Sequence, residues 1–110
     1  VDTVIIEKPW GKEEILEHNE YYILKRISMS AGHRCSLQYH TKKKETVLCL
    51  SGELKIYLED DEIFPCLNHV VTINPTQLHR MEAITDSVYL EVSTSHLDDV
   101  VRVQDDYDRS

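Results

Sequence analysis

The sequence predicts an all-β fold of the sandwich or barrel type, and three observations support it. Short apolar or alternating segments recur along the chain at the length of strands. Turn-forming residues stand between them. No segment repeats apolar residues at i, i+3, i+4 and i+7 over three turns, so no long helix is expected. The predicted strands are VIIE (4–7), EEILEH (13–18), YYILKRISM (21–29), CSLQYH (35–40), TVLCLS (46–51), ELKIYL (53–58), HVVTI (69–73), LHRMEAI (78–84) and SVYLEV (87–92). The breaks are Ala31-Gly32, Ser51-Gly52, the acidic run 59–62 and Asn74-Pro75. Residues 97–108 are expected to form one short helical turn at most. Ser51-Gly52 reads as a tight hairpin, with Gly52 free to take a positive φ, which would set the strand starting near Glu45 beside its successor. Many strands with tight turns and few Gly or Pro fit a closed or two-sheet β architecture.

The chain has 110 residues, enough for one domain (1–110) with a core that needs no disulfides. Hydrophobic residues make up 41% and charged residues 29%, the balance of a soluble globular protein. A formal net charge of -8 sets it against nucleic acid and anionic membrane, both of which repel an acidic surface. The apolar runs are too short to span a bilayer as a helix. The N-terminal residues lack the basic and apolar regions of a signal peptide, so a cytoplasmic location is expected. Cys35, Cys49 and Cys66 are odd in number and lack C-x-x-C spacing, which suits reduced, buried thiols.

The chemistry concentrates between Gly32 and Gly52, in GHRCSLQYHTKKKETVLCLSG, with His79 on a later strand. Gln38 and His40 share one face of a strand because side chains alternate with a period of two. Glu45 shares parity with Val47 and Cys49, and His79 with Gln77 and Met81. These relations place four polar side chains at one end of an apolar interior. Two imidazoles, one carboxylate and one amide oxygen suit Mn, Fe, Co, Ni or Zn better than Mg or Ca, which favour all-oxygen shells. With one carboxylate the site keeps about one unit of positive charge, able to stabilise an enediolate or hold an anionic ligand. Lys25 shares parity with Tyr21, Ile23, Ile27 and Met29, so it either snorkels to the sheet edge or points inward. An inward Lys25 with a lowered pKa would serve as a proton-transfer base. The run Lys42-Lys43-Lys44 reads as a solvated turn. His18, His33, His69 and His96 read as surface or strand-edge histidines. Trp10 reads as core, and the tail acids Asp98, Asp99, Asp105, Asp106 and Asp108 as a solvated face.

The spacing G-x5-[H/Q]-x-H-x4-E-x6-G is filled by Gly32, Gln38, His40, Glu45 and Gly52, and it resembles the first motif of the cupin superfamily. In the second motif His79 alone is kept, with Asn68, Asn74, Thr76 and Ala83 replacing Gly, Pro, Gly and Asn. KPWGKEE (8–14), SLQYH (36–40), LHR (78–80), LEVSTS (90–95) and DDVVRVQDDYDR (98–109) resemble the C-terminal cupin domain of type II mannose-6-phosphate isomerases. Gln38 in place of the first histidine is a mark of that family. The family's Glu-His-Trp is Glu45-Thr46-Val47 here, and its Tyr-Gly-Arg is Tyr107-Asp108-Arg109. The resemblance implies a small jelly-roll barrel, or double-stranded β-helix, holding one divalent transition metal through Gln38, His40, Glu45 and His79. It also implies a sugar phosphate as the ligand and a homodimer, the latter in keeping with exposed sheet edges. Lys43 occupies a family arginine position, and Lys25 and Lys43 are the candidates for proton transfer. Arg80 and Arg109 are the candidates for binding the phosphate. The implied activity is aldose–ketose isomerisation of a sugar such as mannose 6-phosphate. Alternatives are a non-catalytic sugar or nucleotide-sugar binding cupin, and an Fe(II) dioxygenase.

Overall fold

The computed structural model describes residues 3–65 and 67–109, so Cys66 lies outside the described residues. Among those described, the strands are β1 (Val4–Lys8), β2 (Gly11–His18), β3 (Tyr22–Met29), β4 (Leu37–Tyr39), β5 (Glu45–Ser51), β6 (Leu54–Leu58), β7 (Asp61–Ile63), β8 (Val70–Ile73), β9 (His79–Ala83), β10 (Ser87–Thr94) and β11 (Val101–Gln104). They form a six-stranded sheet in the order β1-β2-β3-β10-β5-β8 and a five-stranded sheet in the order β11-β4-β9-β6-β7. Every pairing is antiparallel. Among the described residues the arrangement is all-β, as expected, and no helix is long and apolar enough to cross a membrane.

Three expectations are corrected. Ser51-Gly52 is not a hairpin: β5 pairs with β10 and β8, whereas β6 pairs with β9 and β7 in the other sheet. The turn is a corner that carries the chain between sheets. Gly52 does take a positive φ, of 83°, and a Cβ there would lie 2.2 Å from the Asp86 carbonyl oxygen. The acidic run 59–62 turns only at Glu59 and Asp60, after which Asp61 begins β7. The tail forms a strand instead of a helical turn, because β11 pairs with β4 on an otherwise open edge.

The apolar core fills one end of the space between the sheets. It includes Ile27 and Met29 from β3, Val47 and Cys49 from β5, Leu54 and Ile56 from β6, and Met81 and Ala83 from β9. Trp10 joins this cluster, as expected of a core residue. Each fully buried Ile, Leu or Met contributes roughly 1.5–3 kcal/mol, enough for this end to tolerate desolvated charge at the other. The backbone of the degraded second motif survives the loss of its glycines. Asn68 and Thr76 stand at the two glycine positions and keep φ of 66° and 70°. Asn tolerates that region, whereas a β-branched Thr is strained there.

Candidate metal centre

His40, Glu45 and His79 come from three places in the fold. Glu45 opens β5, His79 opens β9, and His40 immediately follows the short β4. The pairing of Gln38 with His79 sets β4 against β9 and brings the two histidines to one end of the five-stranded sheet. Their ring centroids are 5.0 Å apart. All three side chains are buried, and one ligand atom of each lies within 4.8 Å of the others. His79 Nε2 is 2.9 Å and His40 Nε2 3.3 Å from the same oxygen, Glu45 Oε1.

The outer nitrogens of the rings explain this orientation. His79 Nδ1 lies 2.9 Å from the Gln77 carbonyl, and His40 Nδ1 lies against the Asp99 carbonyl. A carbonyl accepts only, so each Nδ1 carries the proton and donates, which leaves Nε2 as a bare lone pair. Both Nε2 atoms are buried, and neither has a hydrogen-bond partner among the described residues. Two lone pairs and a carboxylate oxygen facing one another repel unless a cation lies among them. Two nitrogens and one charged oxygen, braced from behind by carbonyls, fit a divalent transition metal. Gln38 is half-buried and lines the same cavity, with its Oε1 accepting from Ser36 Oγ at 3.3 Å.

The cavity, of about 200 Å³, is lined by charges that alternate across the six-stranded sheet. Lys25 points inward and donates to Glu13 Oε1 at 2.7 Å. Glu91 is directly opposite Lys25 across the β10–β3 pairing. Lys43 Nζ lies 3.7 Å from Glu91 Oε2 and 3.8 Å from Glu45 Oε2. Burial pushes the Glu45 carboxyl up, whereas the Lys43 ammonium 3.8 Å away pulls it down. Burial, then the Glu45 charge, push the Glu91 carboxyl up to about 8 against the pull of Lys43 and Lys25. Burial would lower Lys25, yet Glu91, Glu13 and Glu45 outweigh it and raise its pKa. The expectation of an inward lysine with a lowered pKa is therefore corrected. Lys25 is inward and stays an ammonium, because anions surround it.

The other residues singled out in the sequence divide between cavity and surface. Lys43 is buried while Lys42 and Lys44 are exposed, so the solvated-turn reading fails for the middle lysine alone. Arg80 is buried away from the cavity, donating to the Cys35 carbonyl at 2.9 Å. Arg109 is held by Asp105 through Nε and Nη2, both at 2.9 Å, and does not line the cavity either. The tail acids are not simply solvated: Asp105 grips Arg109, Asp106 grips Arg34, and Asp99 caps residues 41–43. Of the surface histidines, His18, His69 and His96 are exposed, whereas His33 stacks on Tyr107 and bonds its hydroxyl. Cys35 and Cys49 are free and buried, and burial pushes the Cys35 thiol up to about 11.

Sequence reasoning missed Glu13, Glu91 and Asp99. Glu13 had a signal, since it shares parity with Ile15 on a strand facing that of Lys25. Glu91 was masked because β10 reads inverted. Its polar parity, Ser87, Glu91 and Ser93 with Tyr89, is buried, while Val88, Leu90 and Val92 face outward.

Two antiparallel sheets around a cavity, with a His-Glu-His cluster at one end, make this protein a cupin. Solved structures share that architecture. An RmlC-like cupin from Shewanella frigidimarina NCIMB 400 superposes with a TM-score of 0.80 over 87% of this chain and 86% of that one, at 14% identity. KdgF from Halomonas sp. gives 0.79 over 89% of each chain, also at 14%. Within the cupins, the chain belongs to the family described as mannose-6-phosphate isomerase C-terminal, which matches residues 3–105. Its relatives bear another activity in their names. Mannose-1-phosphate guanylyltransferase 2 of Escherichia coli O157:H7 is 29% identical across 91% of this chain. A mannose-1-phosphate guanylyltransferase of Salmonella montevideo is 30% identical across 96%, and the alginate biosynthesis protein AlgA of Pseudomonas aeruginosa 28% across 96%. The chain spans only 22% of the first of these and 23% of each of the others.

Proposed function

We propose that this chain is a metal-dependent aldose–ketose isomerase domain acting on a sugar phosphate such as mannose 6-phosphate. The carrying observation is the convergence of His40, Glu45 and His79 beside a cavity that His40 and Glu45 line together with Lys25, Lys43 and Glu91. His40, Glu45 and His79 would hold the ion, with Gln38 as a further oxygen donor. The ion, when bound, would polarise the sugar's carbonyl and stabilise negative charge on its oxygens. Isomerisation moves a proton between adjacent carbons, so a group in the cavity must take it up and return it. Lys43 and Glu91, side by side and not among the ligands, are placed to do so. Lys25, kept charged, holds Glu91 in position and adds positive potential.

Charge balance supports a phosphate ester as the ligand class. Lys8, Lys25, Lys43 and Arg102 line the cavity opposite Glu13, Glu45, Glu91 and Asp98, and with the Glu91 carboxyl pushed up to about 8 the cations are in slight excess. A divalent ion would add to that excess, which suits a phosphate carrying roughly two negative charges. The cavity of about 200 Å³ is below the roughly 300 Å³ where ligand pockets begin, so the phosphate would sit at the mouth. The test is a coupled assay of mannose 6-phosphate conversion with the purified chain loaded with Mn, Fe, Co, Ni or Zn in turn. Turnover above a Glu45→Ala control supports the reading, and equal rates with every metal contradict it.

A sugar-phosphate binding cupin without turnover is the second reading. It is favoured by Arg80 and Arg109, the family-position cations, being engaged away from the cavity. A rise in Tm with mannose 6-phosphate, without conversion, would select it.

A further inference from the structure

We infer that Asp99 is a positioning residue for the metal centre, fixing the His40 side of the site from the C-terminal segment. The inference rests on the metal-site reading above and concerns what holds the ligands in place.

Asp99 lies in the connection from β10 to β11 and reaches back more than fifty residues along the chain. Its Oδ1 accepts from the Thr41 backbone N–H at 3.0 Å and from Thr41 Oγ1 at 2.7 Å. Its Oδ2 accepts from the N–H groups of Lys42 at 2.7 Å and Lys43 at 2.9 Å. Its main-chain carbonyl accepts from His40 Nδ1. One residue thus binds four consecutive residues, His40 to Lys43, by both its side chain and its backbone.

The consequences for the site follow from the bonds. The carbonyl fixes the His40 tautomer and aims Nε2 inward, the role that outer partners play for metal-binding histidines. The carboxylate gathers three successive N–H groups and so shapes the turn that buries Lys43 between exposed Lys42 and Lys44. Glu45 follows two residues later. His79 needs no such help, because Gln77, two residues before it, supplies its carbonyl. The other tail carboxylates do different work: Asp105 binds Arg109 within the tail, and Asp106 binds Arg34 beside β4. They serve as controls.

The experiment titrates the full chain with Co(II), reading affinity and the visible absorption of the bound ion. The variants are Asp99→Ala, Asp99→Asn and Asp106→Ala. Asp99→Ala is expected to weaken Co(II) binding about 10- to 100-fold and to change the absorption bands. Asp99→Asn keeps one acceptor oxygen but turns an amide N–H₂ toward the N–H groups of Lys42 and Lys43, so a smaller change of the same sign is expected. Asp106→Ala is expected to match the wild type in both readouts, since loosening the tail elsewhere leaves residue 99 in place. Wild-type affinity and bands in Asp99→Ala overturn the inference and leave the metal site standing. A wild-type protein that binds no Co(II) overturns both. If Asp99→Ala does not fold, Asp99→Asn carries the same readouts, and its identity with wild type overturns the inference equally.

Discussion

The two histidines of the centre are held in opposite ways. His79 starts a strand lying between β4 and β6, is fully buried, and takes its Nδ1 partner from two residues away. His40 follows a three-residue strand, precedes an exposed turn, and takes its Nδ1 partner from Asp99. One ligand is fixed by its own strand, the other by a long-range tether. A site built this way has a rigid half and a half whose geometry depends on the C-terminal segment. Chain connectivity therefore matters to the chemistry as much as ligand identity does.

The largest effect should come from the shared centre. His79→Ala or Glu45→Ala is expected to abolish metal retention and turnover together, read by elemental analysis after dialysis and by the coupled assay. A metal-free variant that stays active would break the comparison at its root. Next comes the strut under the site. Lys25→Met leaves buried Glu13 with Lys8 alone and Glu91 with Lys43 alone, and is expected to cost about 3 kcal/mol in denaturant unfolding, the low end for breaking a buried pair. Adding Glu13→Leu should recover part of that loss, because one stranded charge is removed.

A smaller effect, of opposite sign, tests the His40 side. Thr76 holds φ at 70° while its N–H donates to the His40 carbonyl at 2.6 Å. Thr76→Gly keeps the bond and relieves the strain, so it should stabilise by about 1 kcal/mol. A lower Tm would show that the Thr side chain contributes more than its backbone strain costs. The smallest effect lies in the tail beyond the tether. The Arg109 guanidinium holds the Asp105 carboxyl down to about 2 from an ordinary 3.8, against the opposing effect of burial. A depressed carboxyl contributes its stability in full above 3.8 and loses it as pH falls toward 2. The Tm gap between wild type and Asp105→Asn should be open at pH 5 and close by pH 2, and a gap that widens on acidification contradicts the assignment.

What the sequence revealed, and what it hid, follows the same division between local and long-range order. Motif spacing brought out His40, Glu45 and His79, since Glu45 and His79 open strands and His40 directly follows one, so their register is local. Strand parity placed Lys25 and Glu45 among apolar neighbours, and both face inward. The corner at Gly52 looked like a hairpin because a positive-φ glycine between two apolar strands serves either turn, and only sheet pairing tells them apart. Glu91 escaped notice because a polar cavity inverts the usual alternation along β10. Asp99 escaped because the four residues that its carboxylate and carbonyl hold lie more than fifty residues away. Arg80 and Arg109 match the family's motif, yet their partners here, the Cys35 carbonyl and Asp105, draw them away from the cavity.

The central claim is that His40, Glu45 and His79 together hold a divalent transition metal. The direct measurement is metal content of the purified chain after loading and dialysis, wild type beside Glu45→Ala. The account predicts one ion per chain in the wild type and none in the variant, with both remaining folded. Equal retention by the two would contradict it.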